Sequence, residues 1–459
     1  MTELTSQSLA KLAELIRTRA VSPVEVLEAH LRRIDEVNPG LNAIVTLAPD
    51  AMEEAKEAEA ALMRGESTGP LHGVPLTIKD TIETKGLRST SGSLLRADFI
   101  PPADAPAVAR LKAAGAIILG KTNAAEMAMD YTADNRVFGR TNNPHDSERT
   151  PGGSSGGEAA AIATCMTAGG LGSDLAGSIR IPSHFCGIAG LKPTVGVVPG
   201  EGQFPTARGP YALGSAIGPM GRNVEDLRQL LGALSRNPVR TNKAMGALRV
   251  AWYTDDGVSP VTDQTRKAVE QAAQALSDAG LVTENILPPG IERGHEMWLK
   301  LFSRASVVQL RNVYAGNEDK AGDFVRWRLA TADDTLSQTI DDYIDSWLQR
   351  DQLRELLLEW MEDRPLLVAP VGATPALKHD AHKVTVGDET FSSFRAFSYS
   401  QAFNVFDLPV VVVPAGRSDE GLPIGVQIVG RPFAEATVLD AAAIVEAALG
   451  GWRMPTLTP

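Results

Sequence analysis

A chain of 459 residues, 43% hydrophobic and 22% charged, has the make-up of a globular protein and room for two or three average domains. Its formal charge of −12 argues against a nucleic-acid partner, because phosphate binding needs a basic footprint, and so against a tRNA-handling role. No apolar run reaches the roughly 18 residues of a membrane span; the most hydrophobic, Leu408–Gly416, has the length of a strand. Acidic and polar residues interrupt the N-terminal segment where a signal peptide would need an apolar core. Cys165 and Cys186 lie in apolar surroundings, which reads as two buried thiols without a disulfide in a reducing compartment. The expectation is a cytoplasmic protein, monomer or homodimer, with no membrane contact.

Along the chain, Ser6 opens an amphipathic helix carrying Leu9, Leu12, Leu15 and Ile16, which ends before Ala20. Ser22-Pro23 opens a second, with Val26, Leu27, His30, Leu31 and Ile34 on one face. The pattern then predicts a strand over Asn42–Leu47, a helix over Asp50–Met63, a strand over Val74–Lys79, a helix over Ala105–Ala114 and a strand over Ala116–Leu119. Later strands are expected at Leu248–Tyr253, Leu281–Ile286, Pro365–Val371, Leu408–Val413 and Gly425–Val429, with helices at Val261–Ala279 and Ala434–Leu449. Glu292–Leu358 lacks Pro and reads as a helical excursion over one end of the sheet. Alternating strands and helices predict an α/β/α sandwich, with a central mixed sheet covered on both faces. No internal repeat or long linker divides the chain, so residues 1–459 read as one domain.

The densest signal runs from Thr150 to Pro193. Between Gly152 and Gly177 there are 8 glycines in 26 residues, where the chain average gives about two. Among them stand Ser154, Ser155, Ser173 and Ser178 and an apolar helical run from Ala159 to Met166. Glycine at this density lets backbone N–H groups approach a ligand, and serines in such loops suggest nucleophilic chemistry beside an oxyanion site. Upstream, Leu71–Asp80 places Lys79 at the end of an apolar strand.

These blocks (GVPLTIKD, PGGSSGG and SDLAGSIRIPSHFCGIAGLKP) resemble the amidase signature family of Ser–cisSer–Lys amidohydrolases. The spacing agrees too, with 75 residues from Lys79 to Ser154 and 24 from Ser154 to Ser178. The resemblance covers roughly residues 5 to 235, its signature core about 65 to 235, and resumes faintly over Leu408–Arg431 and the closing helix. It implies that Ser178 attacks a carbonyl carbon, Ser154 relays the proton and neutral Lys79 accepts it. Lys79 must then lose its charge near neutral pH, a change of roughly 4 kcal/mol, for which burial is the physical means. Alone, Lys79 would read as a solvated strand-end lysine. Strand alternation turns the charge of Asp80 to the opposite face.

The resemblance also implies an oxyanion site from the N–H groups of Leu175, Ala176, Gly177 and Ser178. Ala176 stands where the family has glycine; it keeps the donor but disfavours positive φ. Ser155 is expected to hydrogen-bond the glycine loop, and Asp174 with Arg180 to form a structural ion pair. Met127, Met129 and Tyr131 resemble the family's acyl-pocket segment, with core packing the equal alternative. Gly200–Gly218, with Phe204, Arg208 and Tyr211, reads as a mobile loop over the site. Trp298, Phe302, Trp327 and Trp347 of the excursion are expected to wall a leaving-group pocket about residues 290 to 360.

Two other motifs fail on context. Gly115–Thr122 fits GxxxxGK[ST], but its middle residues form the strand itself, so no nucleotide site is expected. Gly153–Gly157 fits G-x-S-x-G, yet only His379 and His382 are available as a late histidine, and both read as loop residues without companions for a metal. No metal or cofactor is expected. The reading is an amidohydrolase of an apolar small-molecule amide, aryl amides included, through an acyl-enzyme. A carbamate (urethane) or ester hydrolase with the same triad is adjacent. An amidotransferase of the A type is disfavoured by the acidic balance and by Ile181, where those chains resemble Arg-Gln-Pro. A non-catalytic binding protein is disfavoured by three intact catalytic positions.

Overall fold

In the computed structural model, residues 2–457 are described except 67, 237–244, 246–247 and 333–336. Its strands are β1 (Ile44–Leu47), β2 (Pro75–Lys79), β3 (Ile117–Thr122), β4 (Gly170–Asp174), β5 (Ala189–Lys192), β6 (Ala216–Gly221), β7 (Arg249–Trp252), β8 (Val282–Asn285) and β9 (Leu366–Pro370), followed by the small hairpin β10 (Lys383–Val386) and β11 (Glu389–Ser392), then β12 (Val410–Arg417) and β13 (Pro423–Gly430). Eleven of them form one sheet in the order β1-β3-β2-β4-β6-β5-β12-β13-β9-β7-β8. β3, β2 and β4 run parallel, as do β8, β7 and β9. The six strands from β4 to β9 across the middle pair antiparallel. The expected mixed α/β sandwich is therefore the observed architecture.

The two faces separate residue by residue. On β12, Val411 and Val413 enter one core with Leu76 and Ile78 of β2 and the helices Val224–Leu234, Asp263–Asp278 and Glu435–Leu449. Val410 and Val412 point to the other side, toward the helices Arg180–Cys186 and Ser398–Val405. The period of two along a strand thus turns Thr77 and Lys79 away from the first core and toward the signature helix Gly156–Ala163. Thr77 Oγ1 donates to Glu158 on that helix at 2.5 Å.

Most expected elements recur within a few residues. The first helix begins later than expected, at Leu9, because Ser8 rather than Ser6 caps it by accepting from the Lys11 N–H. Ser22 and Glu25 form a complete capping box ahead of the helix Pro23–Leu41. Ile117–Thr122 is indeed a strand, which removes the phosphate-wrapping turn from the GxxxxGK[ST] match. The excursion is helical from Ile291 to Trp360 apart from short breaks among the described residues.

Three central strands lay outside the expected set, β4, β5 and β6. The region Gly200–Gly218 needs correction as a loop, since Ala216–Gly218 belongs to β6, bonded to β4 and β5. Glycine hid these strands. A Cβ on Gly218 would lie 2.0 Å from the Leu191 carbonyl, and one on Gly170 would lie 2.2 Å from that of Thr77. Close backbone approach selects glycine here, against ordinary strand propensity.

Candidate active site

Lys79 ends β2 with its side chain fully buried on the face toward the signature helix. Its Nζ lies 2.7 Å from Ser154 Oγ and 3.0 Å from Ser173 Oγ on β4. Burial pushes the amine down from its ordinary 10.5 to about 7, although the carboxylates of Asp174 and Glu158 pull the other way. Asp80 is not among the groups opposing it. Its carboxylate faces away and accepts from the Thr90 N–H and hydroxyl and from the Gly92 N–H. Glu158, buried between the hydroxyls of Thr77 and Thr122, is itself pushed up to about 7 by burial.

Ser154 follows a cis Gly153–Ser154 peptide bond. Gly153 is forced by space, as a Cβ there would lie 2.0 Å from the Thr132 carbonyl. Ser155 holds the glycine loop against β4: its hydroxyl accepts from the Ser173 N–H at 3.3 Å. Its own N–H donates to the Ser178 carbonyl at 3.2 Å, which ties the two serine-bearing loops together. Ser178 is 7% exposed, and its hydroxyl has no hydrogen-bond partner among the described residues. Lys79 and Ser154 are thus in direct contact, and the Ser155–Ser178 backbone bond brings the Ser178 loop alongside Ser154.

Asp174 and Arg180 form a bidentate pair, Nε to Oδ2 at 3.0 Å and Nη2 to Oδ1 at 2.9 Å, with both side chains wholly buried. Burial alone would raise the Asp174 carboxyl, but the Arg180 guanidinium holds it well below the usual carboxylate range. The remaining guanidinium donors reach the Ser400 carbonyl, Gln427 Oε1 and Asn404 Oδ1. Asp174 in turn accepts the N–H groups of Gly177 at 2.8 Å and Ile179 at 3.1 Å. The Gly177 N–H is therefore already engaged, a departure from the four free donors expected at Leu175–Ser178. Ala176 causes no strain, because positive φ falls one residue later: Gly177 has φ +108°. Ala176 is absent from the positive-φ residues.

The expected pocket residues divide. Tyr131 and Tyr211 pack with Ala176, Trp298 and Phe302 in one aromatic cluster at the Leu175–Ser178 loop. Met127 lies instead in a separate cluster with Leu310, Tyr314 and Val325, against which Met129 and Phe204 pack. Arg208 is exposed. Of the excursion's aromatics, Trp298 and Phe302 reach the site cluster, and Trp347 packs on Phe302 with ring centroids 6.0 Å apart. Trp327 is 55% exposed.

Several participants were not singled out from sequence: Glu158, Gln401, Asn404 and Gln427, while Ser173 was noted as a loop serine but not as a contact of Lys79. Gln401 and Asn404 stand three apart, one turn of the wholly buried helix Ser398–Val405, whose burial the sequence SYSQAFNV does not announce. Polar amides in so buried a helix must find partners. His184, the histidine nearest Ser178 in sequence, is engaged at both ring nitrogens. Its Nδ1 accepts from the Gly425 N–H at 2.6 Å and Nε2 lies 3.0 Å from the Thr374 carbonyl.

Comparison with known proteins shows the family. The Amidase family model matches residues 25–439. The chain is similar to fatty-acid amide hydrolase 2-A of Danio rerio, 34% identical, with 98% of this chain and 90% of that protein covered. It is similar also to the indoleacetamide hydrolase of Bradyrhizobium diazoefficiens, 34% identical, with 95% of this chain and 85% of that one covered. Among solved structures, a bacterial aryl acylamidase of the amidase signature family superposes with a TM-score of 0.85 at 26% identity, covering 96% of each chain. The chain belongs to the amidase signature family and is an amidase, a hydrolase of non-peptide carbon–nitrogen bonds.

Proposed function

We propose that this amidase works alone on apolar amides, aryl amides included, with Ser178 as nucleophile, Ser154 as proton relay and Lys79 as base. The observation that carries the reading is the buried 2.7 Å contact between Lys79 Nζ and Ser154 Oγ, with the amine brought to about 7 by burial. As Ser178 Oγ bonds to the carbonyl carbon, its proton passes to Ser154 Oγ, whose own proton passes to Lys79 Nζ. Collapse of the tetrahedral intermediate breaks the C–N bond, and the proton returns by the same path to the leaving amine. Water then attacks the Ser178 ester, and the relay runs again to release the acid. The aromatic surroundings of the nucleophile loop favour an apolar acyl or amine group over a charged one. Fatty-acid amides and aryl acylamides in the names of similar proteins point the same way. Ile181 after Arg180, where amidotransferases of the A type resemble Arg-Gln-Pro, favours hydrolysis without a partner.

The test is a hydrolysis screen of the purified chain over aryl amides, aliphatic amides, carbamates and esters, paired with labelling by a fluorophosphonate. Ser178→Ala should abolish both turnover and labelling. Labelling that survives in Ser178→Ala but vanishes in Ser154→Ala would exchange the two serine roles. Exclusive turnover of carbamates would move the substrate class.

A further inference from the structure

The nucleophile loop holds its carbonyls and its N–H groups by different means. From Leu175 to Ser178, all four carbonyls are engaged: Leu175 by Trp298 Nε1 at 2.8 Å, Ala176 by the Tyr131 hydroxyl at 2.8 Å, Gly177 by the Ile181 N–H at 2.7 Å and Ser178 by the Ser155 N–H at 3.2 Å. The N–H groups of Gly177 and Ile179 end on the Asp174 carboxylate. Those of Ala176 and Ser178 carry no hydrogen bond among the described residues. In a trans peptide the C=O and the following N–H point in opposite directions. Fixing the Leu175 carbonyl therefore aims the Ala176 N–H, and fixing the Gly177 carbonyl aims the Ser178 N–H.

The Gly177 carbonyl is held from within the signature segment. The Leu175 carbonyl is held from the helical excursion, by an indole that packs against Phe394 with ring centroids 4.9 Å apart. Beside it Tyr131 is clamped in turn: Gln401 Nε2 donates to its hydroxyl at 2.9 Å, and Gln401 Oε1 lies 2.5 Å from His295 Nδ1, one turn before Trp298. We propose that Trp298 is a positioning residue for catalysis, orienting the Ala176 N–H as an oxyanion donor through the Leu175 carbonyl, with Tyr131–Gln401–His295 bracing the next peptide. This rests on Ser178 being the nucleophile. It makes one aromatic side chain both a wall of the pocket and part of the device that stabilises the tetrahedral intermediate.

Trp298→Phe keeps an aromatic ring in the cluster and deletes the indole N–H. The expected result on an anilide substrate is a kcat about ten- to a hundredfold lower, below the full loss of a direct oxyanion donor, with KM within about twofold. Affinity for an arylboronic acid, which forms a tetrahedral adduct on the serine, should fall by the same factor as kcat/KM. If the phenylalanine variant does not fold, placing β-(3-benzothienyl)alanine at position 298, with sulfur for the N–H, tests the same bond at unchanged shape. Tyr131→Phe should give a smaller loss of the same kind. Unchanged kcat and boronate affinity, or a loss confined to KM, would overturn the assignment while fluorophosphonate labelling of Ser178 persists. A wild-type enzyme not labelled at Ser178 would instead overturn the reading on which it rests.

Discussion

The signature segment and the helical excursion contrast sharply in how their side chains are spent. From Pro151 to Lys192 nearly every residue is buried, and the polar ones are engaged several times over, as at Arg180. The excursion sends Trp298 and Phe302 into the site cluster, yet leaves Ile340, Ile344 and Leu348 between 51% and 66% exposed on one stripe of a helix. A region in which each group has several partners tolerates little change, because each substitution orphans something buried. A region touching the site through few residues can vary while the chemistry stays in place.

The largest test of that contrast is Lys79. Lys79→Met should lower kcat/KM by several orders of magnitude, and Lys79→Arg should not restore it, because guanidinium keeps its proton. In the wild type, activity should rise with pH through an apparent pKa near 7, as the buried amine loses its charge. Near wild-type turnover in Lys79→Met would place the base elsewhere. The same substitution should stabilise the fold. A lysine at about 7 when folded and 10.5 when unfolded carries fewer protons in the native state between those values, so its contribution to stability rises with pH there. Below pH 7 its burial costs roughly 5 kcal/mol. The melting-temperature advantage of Lys79→Met should be greatest below pH 7 and vanish toward pH 10.5.

Next in size is the buried ion pair. Arg180→Met leaves the buried Asp174 charged with no guanidinium partner and should cost roughly 3–5 kcal/mol in denaturant unfolding, with activity lost through the loop. A cost under about 1 kcal/mol would show that Asp174 relies on its backbone donors instead. The smallest effect belongs to the excursion. Ile344→Ser, on the exposed stripe, should change stability by no more than about 0.5 kcal/mol and leave kcat unaltered. A larger loss would mean that the stripe is covered in solution.

The same contrast explains what could be read from sequence. The outer elements were legible because caps and apolar periodicity mark them, as at Ser22-Pro23 and along Glu435–Leu449. The proposed reactive positions stood out because Lys79, Ser154 and Ser178 fall in blocks of distinctive composition; of these, Lys79 and Ser154 are in hydrogen-bond contact. The central strands β4 to β6 were not, because glycines chosen for backbone contact erase the strand signature. Nor were Gln401, Asn404 and Gln427, whose importance comes from partners more than two hundred residues away. The pocket was half legible. Tyr131 reached the loop, whereas the methionines beside it went to another core.

The sheet order carries a further consequence, for how the molecule comes into being. β12 and β13 come latest in sequence among the described strands, yet they sit between β5 and β9 in the middle of the sheet. Three of the partners of Arg180 come from Ser400, Asn404 and Gln427. A chain that stops before β13 has Lys79 and the serines, but lacks the Gln427 acceptor of Arg180 and the strand that joins β12 to β9. Folding must wait for contacts of very high sequence separation, which are slow to form. Completion of the Arg180 network, and with it the fixing of the Asp174–Arg180 loop, therefore waits on the docking of strands far along the chain rather than on the signature segment itself.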